Sequence, residues 1–306
     1  MDLILEVRRR LERQALVIVP HEDDMEFLCF HFVNFLVERG FKIREIVMTD
    51  GRFGTRDHNF SGKRLMKLRE KEVKMAAKVF NNNNNNRDGS PAVEVSILGY
   101  CDGFIPVSNR VAMRLKNIIE KLKPSIVIAP DPIFAIDWHH DHIATGRNVY
   151  LALKKIPEAK RPKLCFFFQT FKGDTRVPFA PVSLQLRALS KYRSQVTPLH
   201  LKNLKFMGKF LELIAKIKGR GRPYTSYRKI SFNSEENRVR SLSDFIKYLF
   251  FFHATRSSKY MYSVQYKPLP DFEDKDEDLK REDFDADIWE NMSEFYFGKR
   301  NNKKSK

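Results

Sequence analysis

The chain has 306 residues, of which 42% are hydrophobic and 12% aromatic, and its formal net charge is +18. This composition is typical of a folded domain and excludes a wholly disordered chain. The basic balance permits binding to nucleic acid or to an acidic surface. However, the lysines and arginines are scattered over predicted helix faces and include no arginine-rich arm or zinc-finger pattern. We therefore do not expect nucleic acid to be the main partner.

The cysteines and the apolar segments limit the class of protein further. Cys29, Cys101 and Cys165 are widely spaced and form no C-x-x-C pair, which disfavours a thiolate zinc site. Free thiols fit a reducing compartment, so we expect a cytoplasmic protein. The amino-terminal apolar run is too short and too acidic for a signal peptide, and no segment approaches the ~20 apolar residues of a membrane span.

Strand and helix patterns alternate along the first two thirds of the chain. The predicted strands are 15–20, 41–48, 93–98, 125–129, 164–169 and 227–232, and the predicted helices are 1–14, 27–37, 61–80, 108–123, 143–154, 183–196 and 198–218. This alternation predicts an α/β fold with a Rossmann-like, mostly parallel sheet and helices on both faces.

The composition of the chain changes after residue 232. We predict one domain over residues 1–232 and a carboxy-terminal extension over 233–306. The extension contains a predicted helix at 242–252, an acidic stretch at 268–290 and a basic end that we expect to be disordered. The asparagine run 81–86 is predicted to be a solvated connector with no role in packing.

Two polar clusters each follow a predicted strand directly. The first is H-E-D-D at 21–24, and the second is H-H-D-H at 139–142. In open α/β sheets, ligands bind beyond the carboxyl ends of the strands. If both strands lie in one parallel sheet, His21, Asp24 and His142 meet around one metal ion.

These residue types favour metal-assisted hydrolysis of an amide or an ester. His21, Asp24 and His142 supply two nitrogens and one oxygen, which leaves the fourth position of a tetrahedral zinc open for water. A carboxylate beside the ligands can take a proton from that water. Asp23 adjoins Asp24 in sequence and therefore suits the role of general base.

Two side chains of the second cluster fit supporting roles, in which His139 stabilises an oxyanion or protonates a leaving amine and Asp141 orients an imidazole. The sequence contains no nucleophile elbow and no G-x-G-x-x-G after the first strand. Each cluster alone has an ordinary explanation, because a lone histidine is often a hydrogen-bonded structural residue and paired aspartates often cap a helix. Their joint occurrence after two predicted strands favours the metal site.

Several ordered motifs resemble those of the LmbE-like, or PIG-L-type, N-acetylglucosaminyl deacetylases. H-E-D-D resembles the family's H-P-D-D, and H-H-D-H resembles its H-x-D-H. The further matching motifs are T-D-G at 49–51, Arg69-x-x-Glu72, L-G-Y-C-D-G at 98–103 and A-L-x-x-Y-R-S-Q at 188–195. The loop 49–62 and A-P-D-P at 129–132 are most similar to the archaeal diacetylchitobiose deacetylase branch.

The resemblance implies a reaction and a set of residue roles. It implies one zinc ion per chain and hydrolysis of the acetamide at C2 of an N-acetylglucosamine unit, which releases acetate. The implied roles are zinc ligation by His21, Asp24 and His142, general base catalysis by Asp23, stabilisation of the tetrahedral intermediate by His139, tuning of that residue by Asp141, and sugar binding by Arg69, Asp102 and Asp50.

The chain departs from the family pattern at a few positions. Glu22 replaces the usual proline of H-P-D-D, and Met25 replaces a frequent glutamate. Because Pro20 and His21 are kept, we expect the ligand geometry to survive, whereas Glu22 is expected to alter access or metal affinity. An acid that often occurs near the end of the family's core is missing from 224–227, which leaves substrate recognition or subunit packing open.

We therefore predict a zinc-dependent deacetylase of a small amino-sugar substrate, with a diacetylchitobiose-like compound as the first candidate. One alternative is deacetylation of a larger conjugate that carries inositol, malate or a lipid. Another alternative is a non-catalytic relative that binds a sugar or a nucleic acid. The oligomeric state is left open, with a homo-oligomer as one option.

Overall fold

Seven strands form one sheet in the order β3-β2-β1-β4-β5-β7-β6. The computed structural model describes residues 13–55, 61–81, 89–132, 134–137, 139–219, 221–230 and 232. The strands are β1 (Gln14–Val19), β2 (Lys42–Thr49), β3 (Val93–Tyr100), β4 (Ile126–Pro130), β5 (Leu164–Phe168), β6 (Thr175–Pro178) and β7 (Tyr224–Lys229). Strands β1 to β5 pair in parallel, whereas β7 pairs antiparallel with both β5 and β6.

Six α-helices of the described residues accompany the sheet. They are α1 (Phe30–Val37), α2 (Lys63–Asn81), α3 (Asn109–Leu122), α4 (His140–Lys155), α5 (Val182–Leu189) and α6 (Pro198–Ile217). A π-helical segment, Met25–Cys29, precedes α1. Local signals account for several helix starts, since Ser108 accepts a hydrogen bond from the Val111 backbone N–H and Thr197 forms a capping box with His200. Within the described residues, no helix is long and apolar enough to span a bilayer.

The parallel strands are joined by right-handed crossovers, so the helices lie on both faces of the sheet. Helix α1 connects β1 to β2 and α2 connects β2 to β3, on one side of β1 in the sheet. Helix α3 then leads from β3 to β4 on the other side of β1, and α4 leads on to β5. Ala15 to Val19 of β1 are buried, as expected for a central strand covered on both faces. Aromatic rings fill one side of the core, where Phe32 packs against Phe166 and Tyr227. The predicted fold class is confirmed.

The antiparallel edge was not predicted from the sequence. Strand β6 has four residues, and Val177 is its one buried position, so it carries little hydrophobic signal. Strand β7 begins at Tyr224 rather than at residue 227. The Arg228 guanidinium binds both oxygens of Asp131, the residue after β4, at 2.6 and 2.8 Å. This buried ion pair holds β7 against the parallel part of the sheet.

Three further predictions differ from the structure. The helix predicted at 183–196 ends at Leu189, and Gln14, predicted as helical, belongs to β1. Asn81 was assigned to a connector without a packing role, but it ends α2, and its side-chain amide pairs with the N–H and C=O of Val93. The rest of the asparagine run, residues 1–12 and the extension 233–306 lie outside the described residues.

We expect His31 to make the fold less stable as the pH falls. Its Nδ1 accepts a hydrogen bond from the Ala180 N–H, its ring stacks on Phe179, and burial lowers its pKa to about 4. In the unfolded chain this histidine binds a proton with a pKa near 6.5. The contribution of neutral His31 to the free energy of unfolding is therefore fully present above that pH and is lost as the pH falls towards 4. Between pH 7 and pH 5 the loss is about 2 kcal/mol.

Denaturant unfolding of wild type and His31→Gln at both pH values measures this contribution. The difference in unfolding free energy between pH 7 and pH 5 is expected to be smaller in the variant. An equal pH dependence in the two proteins would contradict the assignment.

Candidate metal centre

The two polar clusters meet at the carboxyl edge of the sheet. His21 follows β1, and His142 lies in the first turn of α4, which comes after β4. Strands β1 and β4 are neighbours, and their crossovers leave in opposite directions, so this is the switch point where α/β sheets bind ligands. The ring centroids of His21 and His142 are 5.4 Å apart, well within the range that one metal ion can bridge.

The carboxylate of Asp24 lies between the two imidazoles. Its Oδ2 is 3.1 Å from His21 Nδ1 and 3.3 Å from His142 Nε2. Neighbouring ligands of a tetrahedral zinc, with bonds of ~2.0–2.1 Å, are separated by about 3.3–3.4 Å. The backbone N–H of His21 also donates to this oxygen at 2.8 Å, which orients Asp24. The two distances from Asp24 Oδ2 are therefore close to the spacing of zinc ligands.

The outer nitrogen of each imidazole has its own acceptors. His21 Nε2 lies 3.2 Å from both Asp102 Oδ1 and Asp141 Oδ2. His142 Nδ1 lies 2.6 Å from Asp137 Oδ2 and 2.8 Å from Gln169 Oε1. A proton on each outer nitrogen would make His21 Nδ1 and His142 Nε2, the nitrogens that face Asp24, the ligand atoms for a metal ion. Ligating histidines in metal sites are held in the same way.

Two sets of three donor atoms within 4.8 Å of one another are present among the described residues. They are His21, His139 and His142, and His21, Asp102 and Asp141. The second set uses carboxylates that face the outer nitrogen of His21, where they act as hydrogen-bond acceptors. The first set adds His139, whose ring is 4.7 Å from that of His21 and 5.3 Å from that of His142. His139 therefore lies within reach of a ligand at the metal position.

The carboxylate of Asp141 links this centre to a neighbouring loop. It is fully buried, and it accepts the backbone N–H groups of Gly103 at 2.6 Å and Ile105 at 3.0 Å. Its own N–H donates to His139 Nδ1 at 3.3 Å. One aspartate thus positions both His21 and His139.

Charges at the centre shift the pKa values of its groups in opposite directions. Burial opposes protonation of His142, but the carboxylates of Asp24 and Asp137 raise its pKa to about 10. Burial disfavours ionisation of Asp24, yet His142 and His21 hold its pKa well below the usual range. Burial and the nearby His21 lower the pKa of His139. The centre strongly favours a cation between its carboxylates.

The sequence agrees with a family of known de-N-acetylases. Residues 16–153, which contain both clusters, match the family described as GlcNAc-PI de-N-acetylase, or PIG-L.

Two curated relatives are similar over a wider span. The chain is 28% identical over 199 residues to a probable N-acetyl-alpha-D-glucosaminyl L-malate deacetylase 2 of Bacillus anthracis, covering 60% of this chain and 82% of the relative. It is 27% identical over 200 residues to the diacetylchitobiose deacetylase of Thermococcus kodakarensis, covering 60% of this chain and 70% of the relative.

Solved structures share the fold of this chain. The N,N'-diacetylchitobiose deacetylase of Pyrococcus horikoshii superposes with a TM-score of 0.60 at 23% identity, covering 78% of this chain and 93% of that one. The protein TT1542 of Thermus thermophilus gives a TM-score of 0.54 at 22% identity, with 76% and 100% covered. At these identities the likeness concerns the fold.

The departure from H-P-D-D has a structural role in this chain. Glu22 is fully buried, and its Oε2 accepts a hydrogen bond from Arg69 Nε at 2.7 Å. Arg69 Nη2 donates to Asp23 Oδ1 at 3.1 Å. Side chains at Gly51 and Gly54 would clash with this ion pair, so the T-D-G loop closes over it through glycine. An effect of Glu22 on access to the site or on metal affinity stays a prediction.

The three predicted sugar-binding side chains lie near the centre and are paired with protein groups. Arg69 is 1% exposed and also donates to the Gly54 carbonyl. Asp50 accepts Arg52 Nε and Nη2, and Asp102 accepts the Phe53 N–H. Their contact with a sugar stays a prediction, as do the roles predicted for the other site residues.

Two partners of the centre were missed in the sequence. Asp137 and Gln169 both contact His142 Nδ1, yet neither belongs to a recognised motif. Gln169 follows β5 directly, so its strand-end position was an available signal. It also has a φ of +52°, a left-handed conformation that non-glycine residues adopt mainly where the surrounding structure requires it.

Residues of the downstream motif A-L-x-x-Y-R-S-Q form hydrogen bonds with buried groups in and near the first cluster. Tyr192 donates to the Glu22 carbonyl and to Glu26 Oε2, each at 2.7 Å. Ser194 donates through its N–H and its hydroxyl to Glu72, which is one turn from Arg69 on α2. The matching motifs therefore converge on one buried polar network beneath residues 21–26.

Proposed function

We propose that the chain is a zinc-dependent hydrolase that removes the N-acetyl group from an N-acetylglucosamine-containing substrate. The main observation behind this proposal is that Asp24 Oδ2 lies between His21 Nδ1 and His142 Nε2. The outer nitrogen of each imidazole contacts other acceptors. Two imidazoles and one carboxylate form a ligand set of catalytic zinc, which keeps a further position open. The names of the family and its relatives support the substrate class.

Zinc would polarise the acetamide carbonyl and lower the pKa of a water molecule towards ~7. We assign Asp23 to take the proton of the attacking water. Its side chain is 14% exposed, so water reaches it, and the hydrogen bond from Arg69 fixes one of its oxygens. As the new C–O bond forms at the acetyl carbon, charge develops on the carbonyl oxygen.

The ring of His139 lies 4.7 Å from that of His21 and 5.3 Å from that of His142. It is exposed, and the Asp141 N–H donates to its Nδ1, so Nε2 is the nitrogen that we assign to substrate. We assign it to stabilise the developing oxyanion and to protonate the amine as the C–N bond breaks. The products are acetate and a free amino sugar.

The substrate class is tested by measuring acetate release. Zinc-loaded protein is incubated with N-acetylglucosamine, N,N'-diacetylchitobiose and N-acetylglucosaminyl malate, and Asp23→Asn serves as the matched inactive control. We expect release from at least one compound, with diacetylchitobiose as the first candidate. If zinc is bound and none of the three compounds releases acetate, the deacetylase proposal for these substrates is wrong.

A further inference from the structure

The last described helix, α6, presents a stripe of large apolar side chains to solvent. The stripe residues recur at helical spacing on one face, and their exposed fractions are 63% for Leu199, 68% for Phe206, 47% for Phe210, 55% for Leu213 and 77% for Ile217. The rings of Phe206 and Phe210 stack on each other. An exposed apolar surface of this extent on one element marks an interaction site.

The opposite face anchors α6 to the domain. Gly208 and Ala215 are its buried positions, and Gly208 is packed closely against Val182 at the start of α5. A side chain at Gly208 would clash with Val182, so the helix is seated tightly through small residues. The apolar stripe is therefore not needed for the contact with α5.

Lysines line one edge of the apolar stripe. Helix α6 contains four lysines and one glutamate, and Lys202, Lys209 and Lys216 follow one another at seven-residue spacing beside it. All three are exposed. The whole chain is also strongly basic, with a net charge of +18. A partner that binds this surface must therefore have an apolar region next to negatively charged groups.

We propose that α6 lies in the interface of a membrane that contains anionic lipids. Its phenylalanine, leucine and isoleucine side chains enter the boundary between headgroups and acyl chains, and the lysine row binds lipid phosphates. This occupant fits better than a second protein surface, because lysine is depleted in the cores of protein interfaces. The proposal does not depend on the deacetylase activity.

The surface is close to the candidate metal centre. Helix α6 begins at Pro198, three residues after Gln195, and Gln195 packs against Gly54 beside Arg69. The amino-terminal end of α6 is therefore the part of the helix nearest to the T-D-G loop.

Vesicle co-sedimentation of the full chain tests the proposal. The probes are vesicles of phosphatidylcholine alone and of phosphatidylcholine with about one-third phosphatidylserine. Two variants remove the two features separately, namely Phe206→Ser with Phe210→Ser, and Lys202→Glu with Lys209→Glu. The matched control is Met75→Ser with Met113→Ser, which removes two exposed apolar side chains from α2 and α3.

We expect wild type and the methionine control to bind the anionic vesicles equally. We expect each α6 variant to partition at least tenfold less, and salt to weaken wild-type binding. The proposal is overturned if wild type stays in the supernatant with both vesicle types, or if both α6 variants bind like wild type. It is also overturned if sedimentation equilibrium shows a dimer that the phenylalanine variant dissociates, because a second copy then covers the stripe.

Discussion

Asp24→Ala and His142→Ala are expected to lose bound metal, whereas Asp23→Asn is expected to keep metal and lose turnover. Asp24 Oδ2 is the atom that both imidazoles face, so its removal takes away one ligand and separates the other two. Asp23 instead contacts Arg69, outside the ring of donor atoms. Loss of a positioned general base lowers kcat by about 10²–10⁴-fold.

Metal content and rate must be measured on the same preparations. Inductively coupled plasma analysis after dialysis gives the zinc bound per chain, and acetate release gives kcat. Asp137→Asn is a useful intermediate control, because this residue contacts the outer nitrogen of His142 and not the donor atoms. It is expected to weaken metal binding by about 10–100-fold without abolishing it. Equal zinc loss in Asp23→Asn and Asp24→Ala would mean that the two roles are assigned wrongly.

Glu22→Gln is expected to destabilise the fold by about 3–5 kcal/mol, because it leaves a buried guanidinium without its closest carboxylate. Burial of Arg69 disfavours its charge, but the carboxylates of Glu22 and Asp23 raise its pKa above the usual arginine range. The remaining hydrogen bonds, to Asp23 and to the Gly54 carbonyl, are longer than the one to Glu22. Arg69 is then held mainly by Asp23, the proposed base.

The matched control is Glu94→Gln, which breaks the ion pair with Arg44 on an exposed part of β2 and β3. Exposed pairs contribute about 0–1 kcal/mol, so this variant is expected to unfold close to wild type. Urea unfolding at neutral pH measures both changes. A Glu22→Gln variant as stable as Glu94→Gln would mean that the buried pair is replaced by water or by rearrangement. If Glu22→Gln folds, a lower kcat at unchanged KM is expected, because Arg69 no longer fixes Asp23 in the same place.

Much of the site could be predicted from the sequence, because strand-end residues of a parallel sheet share one edge. His21 and His142 are 121 positions apart, yet each follows a short apolar strand, and that pattern was sufficient to bring them together. The H-E-D-D and H-H-D-H motifs then carried the family resemblance, and residues 16–153 match the PIG-L family. Hydrophobic periodicity also located most helices and the five parallel strands.

Other features were decided by tertiary structure, since they depend on which way a side chain points once distant segments pack. Periodicity could not place Asp137 and Gln169 on one nitrogen of His142, nor direct Glu22 inward to Arg69. It could not reveal that Asn81 closes the end of α2 on β3. The apolar residues of α6 were visible in the sequence and read there as a helix. That its apolar stripe faces solvent followed only from the packing of Gly208 on α5, which determines the buried face.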